Sequence, residues 1–425
     1  MGVRWPLFLR VAFRFCFLYF GLFCVFDQPL GSFFPMLDID SFDTFWPVRQ
    51  IVFWVGAHIF HADLPLVYTG SGSGDKVYDW VFIVVLVAFS VAGTVVWSIL
   101  DRKRENYATA YAWFRLFIRF MLASQLIIYG LAKFIPEQMP YPSLSRLVEP
   151  FGDFSPMGVL WASIGATPAY EMFAGSAELL AGILLIVPRT TMLGALIAAA
   201  DMTQVFTLNM TYDVPVKILS FHLLLLALFL LAPDLRRIAD FLVLNNPVPR
   251  SNQFPLFGSP RWNRIALAAQ IVLGAYLVVA WAYLGWTSWF KYGGGAPKSP
   301  LYGIWNVDNL VVDRRSRALV VTDPGGWRRI IFDYPRFVRF QRMDDSFAAY
   351  GASIDLKKDT LALTKADDKK WRASFTFRRI GADRLIVDGR MDNHTIHMGL
   401  VLVDRSKLLL VSRGFHWVQD YPFNR

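Results

Sequence analysis

Hydrophobic positions are arranged in two ways along this chain, and the change falls near Ser299. Before it, apolar residues come in long unbroken runs; after it, they alternate with polar ones over a few positions at a time. A helix needs about 20 mostly apolar residues to cross a bilayer. Residues 80–100 and 265–290 meet that need without one charge, and 4–26 meets it with Arg10 and Arg14 placed to snorkel to one surface. The runs 108–135, 169–187, 190–208 and 216–232 carry internal polar residues. Only Pro188-Arg189 separates the middle two, which predicts a tight helical hairpin. Seven spans are expected. The first lacks a small-residue cleavage site and reads as an anchor.

The first outer loop, 27–79, is acidic, with Asp27, Asp38, Asp40, Asp43, Asp63, Asp75 and Asp79. Its aromatic stretch 45–60 is too short to cross and is expected to lie as an interfacial helix. Gly70-Ser-Gly-Ser-Gly-Asp75 lacks the Lys-Ser/Thr ending of a phosphate loop and reads as a linker.

Beyond the Gly/Pro-rich join at 291–300, Trp371-Arg-Ala-Ser-Phe-Thr-Phe377 alternates with the period of a strand, and 394–402 and 360–364 do so more weakly. Further strands are expected at 303–312, 328–333, 337–343, 347–354, 384–388 and 407–412. Turn signals at Asp323-Pro-Gly-Gly326, Asp344-Asp345, Gly381 and Asp388-Gly389 fall between them. The fold class predicted is an α-helical membrane bundle followed by an antiparallel β-barrel or sandwich. The division is 1–106 (two spans and the outer loop), 107–240 (a four-helix bundle), 241–298 (a loop, the seventh span and the linker) and 299–425 (the β domain).

Composition agrees with this pattern. With 55% apolar and 18% charged residues, the chain is no disordered segment. Cys16 and Cys24, its two cysteines, are eight positions apart in one span and make no disulfide framework. The net charge of +10 divides into 21 basic and 18 acidic residues before Ser299 (+3) and 22 and 15 from it onward (+7). Twelve basic residues fall on one side of the spans: Arg4, Arg10, Arg14, Arg102, Lys103, Arg104, Arg189, Arg236, Arg237, Arg250, Arg261 and Arg264. Arg49, Lys76 and Arg146 fall on the other. The positive-inside rule then puts the N-terminus in the cytoplasm and, after seven crossings, the β domain outside it. A multi-pass protein of the inner (cytoplasmic) membrane is expected. In the β domain, Arg328-Arg329, Lys369-Lys370 and Arg378-Arg379 are interleaved with aspartates, a pattern closer to a solvated barrel exterior than to a nucleic-acid stripe and compatible with anionic lipid headgroups. Membrane lipids are the expected partners.

Ionisable groups inside spans are expensive and mark function. Span three carries Arg115, Arg119, Gln125, Tyr129 and Lys133; span four Glu171 and Glu178; span five Asp201, Gln204 and Asn209; span six Lys217 and His222. Counting depth along each span, Lys133, Glu178, Asp201, Gln204 and His222 are expected to meet in the outer half of the bundle, with Tyr129, Glu171 and Lys217 at its margin. Two carboxylates so placed must share a proton or recruit a cation such as Lys133. Such a set fits a polar ligand head or proton-coupled redox chemistry; interhelical hydrogen bonding is the competing structural role. Gly175, Gly182, Gly194 and the alanines at 198–200 predict close helix approach. His58 and His61 share a helix face without a third ligand, and His394 and His397 point to opposite faces of a strand, so no metal site is expected. No catalytic motif occurs, and the sequence leaves open whether the protein is an enzyme.

Spans three to six resemble the DoxX family of bacterial membrane proteins. The resemblance rests on Gly130-Leu-Ala-Lys133, Gly175-Ser-Ala-Glu178-Leu-Leu-Ala-Gly182, the Pro188-Arg189 hairpin and Ala232-Pro-Asp-Leu-Arg-Arg237, over about 130 residues. The whole chain, with its Gly-Ser-Gly-Asp loop and its ending Ser412-Arg-Gly-Phe-His-Trp417, is similar to longer members that append a β domain. The resemblance implies a four-helix bundle and an association with quinone-linked or thiol-linked oxidoreductase complexes. Gly303-Ile-Trp305 also resembles the opening of lipocalin-like barrels. Two readings follow: a redox-associated subunit that binds a quinone-like or other amphipathic molecule in the bundle, or a non-enzymatic anchor and assembly protein whose β domain binds a lipid or a partner.

Overall fold

The computed structural model describes residues 4–36, 42–251, 254–323 and 325–424; Asp38, Asp40 and Pro324 of the expected loop and turn lie outside the described residues. In chain order the helices are α1 (Leu7–Phe26), α2 (Gln28–Gly31), α3 (Trp46–His58), α4 (Val77–Leu100), α5 (Ala108–Phe134), α6 (Pro156–Gly165), α7 (Pro168–Ile186), α8 (Thr191–Thr211), α9 (Lys217–Leu231), α10 (Leu235–Leu242), α11 (Pro260–Lys291) and α12 (Leu409–Ser412). Seven of them (α1, α4, α5, α7, α8, α9 running on into α10, and α11) are long and apolar enough to cross a membrane. They coincide with the seven expected spans. The short helix α3 lies where an interfacial one is expected. Two compact units form, Met1–Gln138 with Ala169–Ser288, and Met139–Pro168 with Trp289–Arg425.

In the helical unit, arginines close helix ends. Arg14 is 1% exposed; instead of snorkelling outward it donates to Tyr107 Oη at 2.9 Å, Ser98 Oγ at 2.8 Å and the Asp101 carbonyl at 3.0 Å, just past the end of α4. Arg10 donates to the Arg104 carbonyl. From the N-terminal half of α5, Arg119 reaches the carbonyls of Leu185 and Ile186 ending α7, and Arg115 reaches that of Leu230 ending α9. The last carbonyls of a helix lack intrahelical donors and sit at the negative end of its dipole, so a guanidinium there satisfies both. These bonds also align the starts of α1 and α5 with the ends of α4, α7 and α9, the alternation that successive crossings require.

The first residues of the loop after α1 do not stay at its end. Gln28 meets Tyr129, Ser32 meets Gln125 and Phe33 packs on Phe120, so 28–33 descends beside α5 over nine of its residues. At the helical rise this is roughly 13 Å. Backbone can enter at that depth only where protein covers it; the Trp281 indole donates to the Ser32 carbonyl and α2 closes one turn on itself.

In the other unit, β1 (Gly303–Val312), β2 (Arg315–Ser316), β3 (Trp327–Phe332), β4 (Phe337–Arg342), β5 (Phe347–Asp355), β6 (Thr360–Thr364), β7 (Arg372–Ile380), β8 (Arg384–Met391) and β9 (His394–Leu402) form an antiparallel meander. Pairing of β9 with β1 closes eight of them into a barrel, and β2 only extends the first hairpin. Trp305, Phe332, Phe340, Phe375 and Phe377 fill the interior, as an eight-stranded barrel allows. Asp392-Asn393 turns with both φ positive, as a two-residue hairpin demands. The expected strand at 407–412 is corrected: Arg405–Lys407 is a 3-10 turn and Leu409–Ser412 a helix. Asp404 accepts from the Ser406 N–H and hydroxyl, which starts the turn, and the closed barrel leaves no free edge to extend.

Residues 139–168, which the sequence assigns to the bundle, instead pack on the barrel's outer face. Leu144, 2% exposed, sits on Ile304 and Ile331, whose strand neighbours Trp305 and Ile330 point inward. Its N–H donates to Asp333, Arg339 bonds Ser145, and Gln341 donates to the Val148 carbonyl. Leu144→Ala should destabilise this unit by about 2–5 kcal/mol, the usual cost of deleting a buried leucine side chain. Denaturation followed by barrel tryptophan fluorescence checks it.

Candidate functional site

Glycines decide how the site is built. A Cβ added to Gly175 would lie 2.6 Å from both the Gly130 carbonyl oxygen and the Phe134 nitrogen; one on Gly130 would lie 2.6 Å from the Leu179 nitrogen. Helices α5 and α7 therefore meet backbone to backbone, as small residues permit between membrane helices. Gly182 continues the seam towards Ala123, and Gly194 seats α8 against Ala181. The expected close approach is present at all three glycines.

Across that seam, Lys133 Nζ donates to both carboxylate oxygens of Glu178, each at 2.6 Å. Lys133 is 8% exposed and Glu178 1%. From α8, the Asp201 carboxyl comes within hydrogen-bonding reach of Glu178, while its Oδ2 is buried without a partner. Two carboxyls and one ammonium in a low-dielectric seam leave one negative charge unbalanced, which a single shared proton cancels.

The cluster does not end there. Tyr129, one turn before Lys133, has its ring 5.9 Å from the ammonium and donates through its hydroxyl to Gln28 Oε1 at 3.0 Å. Tyr129 and Gln28 also line a polar cavity of about 720 Å³ whose wall includes Asp27, Asp43, Lys76 and Asp79. An acidic cavity at the end of α1 thus lies next to the buried ion pair, with Tyr129 between them.

Other expected members stand elsewhere. His222 stacks on Phe23 at 4.0 Å, its Nδ1 2.7 Å from the Ile218 carbonyl and its Nε2 2.7 Å from the Tyr19 hydroxyl. A neutral ring with its hydrogen on Nδ1 satisfies both bonds, so His222 joins α9 to α1 and not to the lysine cluster. Gln204 is exposed on α8. Glu171 is buried at the start of α7, two turns before Glu178. Lys217 pairs with Asp213 at 3.2 Å and Asp75 at 3.7 Å, and Asp75 also accepts the Lys217 and Ile218 N–H groups at the start of α9. The end of the glycine linker is therefore a helix cap. His394 and His397 bond separate aspartates, Asp313 and Asp388. His58 bonds the Trp54 carbonyl.

No family model matches the chain, and no solved structure matches it. A Bacillus subtilis (strain 168) protein described as "Uncharacterized protein YwoB" is 33% identical over 135 residues, which cover 30% of this chain and 77% of that protein. The chain belongs to the YwoB family.

In this YwoB-family chain, the part of the site that sequence reasoning missed is the acidic cavity. Its signal was visible, since Asp27, Asp43 and Asp79 all belong to the acidic loop, but nothing in their spacing shows that the loop folds back onto Tyr129. Burial, reinforced by Asp43 and Asp79, holds the Asp27 carboxyl up at about 7, against the opposing Gln28 N–H and Lys76. A carboxyl raised in the folded state keeps its proton after the unfolded chain has lost it. Stability should therefore fall as pH rises from about 4 to about 7 and stay lower above that. Asp27→Asn should remove on the order of 2 kcal/mol of this loss, about half of the full shift, because solvent reaches the half-buried group. Melting temperatures at pH 4, 6 and 8 test it: the two proteins should diverge progressively as pH rises.

Proposed function

We propose that the bundle binds the polar head of a quinone-like or other amphipathic molecule, and that the protein is a redox-associated subunit of the inner membrane, with its N-terminus cytoplasmic and its β unit outside. The observation that carries this reading is the buried Asp201 Oδ2, left without a partner beside an ion pair in which Lys133 donates to both oxygens of Glu178. An orphaned acceptor at that depth calls for a donor from a ligand or for a transferable proton. A quinol, when bound, gives up electrons together with protons, and the electrons would pass to a membrane oxidoreductase partner. Glu178 and Asp201 hold the proton, Lys133 fixes the Glu178 carboxylate, and Tyr129 with Gln28 leads to the acidic cavity. The DoxX-like motifs around Gly130, Gly175 and Glu178 support the same reading. Purified full-length protein should carry an extractable quinone, and Glu178→Gln with Asp201→Asn should lower quinol oxidation by membranes. Protein without quinone, together with unchanged oxidation in the variant, would sink the proposal.

A second reading, an assembly protein whose β unit meets a lipid surface or a partner, is favoured by the exposed end of the chain. Trp417 is 91% exposed and Phe415 and Tyr421 nearly as much, a composition suited to a headgroup layer. Side chains fill the barrel interior, so this reading uses the barrel's surface and not a lipocalin-like cavity.

A further inference from the structure

At the opposite end of α5 a second polar site stands apart from the lysine cluster. Arg115 and Arg119, one turn apart, are 8% and 6% exposed. Together with Arg189 of the hairpin they line a small cavity of about 70 Å³ in which Asp234 supplies the carboxylate. Asp234 is already engaged by Arg237 and lies 3.9 Å from Arg115. Arg119 spends its Nε and one terminal nitrogen on the Leu185 and Ile186 carbonyls, which carry no charge to oppose it. Two buried guanidinium groups and the exposed Arg189 therefore face a carboxylate that Arg237 already engages, a surplus of positive charge that suits an anion. A cavity of this size holds a group of about two water volumes, which suits a phosphate.

Gln270 lies on the same wall, 7% exposed, with its Oε1 buried and unpartnered while Nε2 donates to the Ala266 carbonyl. Its amide oxygen asks for a donor such as a hydroxyl. Gln270, Leu116 and Leu256 also line an apolar groove of about 610 Å³ that continues over Trp113, Phe117 and Phe33. Along α11 the groove runs from Trp262 to Leu273. That is roughly 16 Å at the helical rise, close to half of a hydrocarbon core about 30 Å thick.

We infer that this composite site binds one anionic phospholipid from the leaflet on the α5-start side. Arg115, Arg119 and Arg189 hold its phosphate, Gln270 accepts from a hydroxyl of its head, and the groove takes an acyl chain. A free phosphate would fill the cavity and leave the groove without an occupant; a neutral lipid would fill the groove and leave the guanidinium groups unbalanced.

Full-length protein purified in mild detergent and stripped of lipid is the material for the test. Phosphatidylglycerol should raise its melting temperature and be retained, by mass spectrometry of the extract, roughly tenfold over phosphatidylcholine, the equivalent of one charged hydrogen bond. Arg189→Gln, on an exposed side chain that caps no helix, and Ala269→Trp, which fills the groove and leaves the arginines intact, should each reduce that retention. Equal retention of the two lipids overturns the inference, as does wild-type retention in both variants. An equal thermal shift from inorganic phosphate alone overturns it too, by assigning the cavity to a free anion.

Discussion

Lys133→Met should destabilise the helical unit by about 3–5 kcal/mol, the cost of removing one partner from a buried ion pair. Methionine nearly matches the lysine stem, so lost packing contributes under about 1.5 kcal/mol and the charge decides the outcome. What remains is a carboxyl pair, Glu178 and Asp201, with no cation between them. Glu178→Gln in the same background removes most of that imbalance, so the double variant should recover much of the loss. Thermal or chemical unfolding of the four proteins in one detergent gives the coupling directly. Ligand retention separates the two roles open to the cluster. If the pair only fastens α5 to α7, the recovered double variant also recovers any bound amphiphile and quinol oxidation. If the pair handles a proton, stability returns and turnover does not. Independent effects of the two substitutions on stability would show that the lysine and the carboxylate do not depend on each other.

The spans were legible because membrane helices must satisfy their own backbone, which leaves a long apolar run as their signature; residues 80–100 and 265–290 needed no further argument. The barrel strands were legible wherever one face is buried, as in β7, where Ala373, Phe375 and Phe377 alternate with exposed neighbours. Residues 407–412 misled because a short apolar run carries no record of whether a sheet edge is still open to receive it. Of the residues grouped by depth along each span, Lys133, Glu178 and Asp201 come together. His222 and Gln204 stand apart, because depth says nothing of rotation about a helix axis. Residues that act through folded loops left the least trace. Asp75 caps α9 from 142 positions away, Leu144 joins the barrel from the loop between α5 and α7, and Asp27 reaches Tyr129's cavity only through the descent of 28–33. Each depends on a loop path that composition does not encode.

Gly175→Ala should cost about 2–3 kcal/mol, at the upper end for overpacking, because the added methyl meets backbone and not the end of a side chain. Its Cβ would stand 2.6 Å from the Gly130 oxygen and the Phe134 nitrogen, and neither atom can turn aside without moving α5. Gly182→Ala is the milder companion: its methyl meets Ala123 and Ile127 backbone at 3.2 Å, a few tenths of an ångström tighter than ordinary contact. Unfolding of both variants in the same detergent should rank Gly175→Ala clearly the less stable. The same displacement carries Glu178, less than one turn along α7, away from Lys133, whose ammonium now sits 2.6 Å from its oxygens. Part of the cost of Gly175→Ala is thus the ion pair itself. Combined with Lys133→Met it should destabilise by less than the sum of the two single effects, since a pair already broken cannot be broken again. Strict additivity would mean that the glycine seam and the ion pair stabilise the bundle separately, and that close approach of α5 and α7 is not what brings the lysine to its carboxylate.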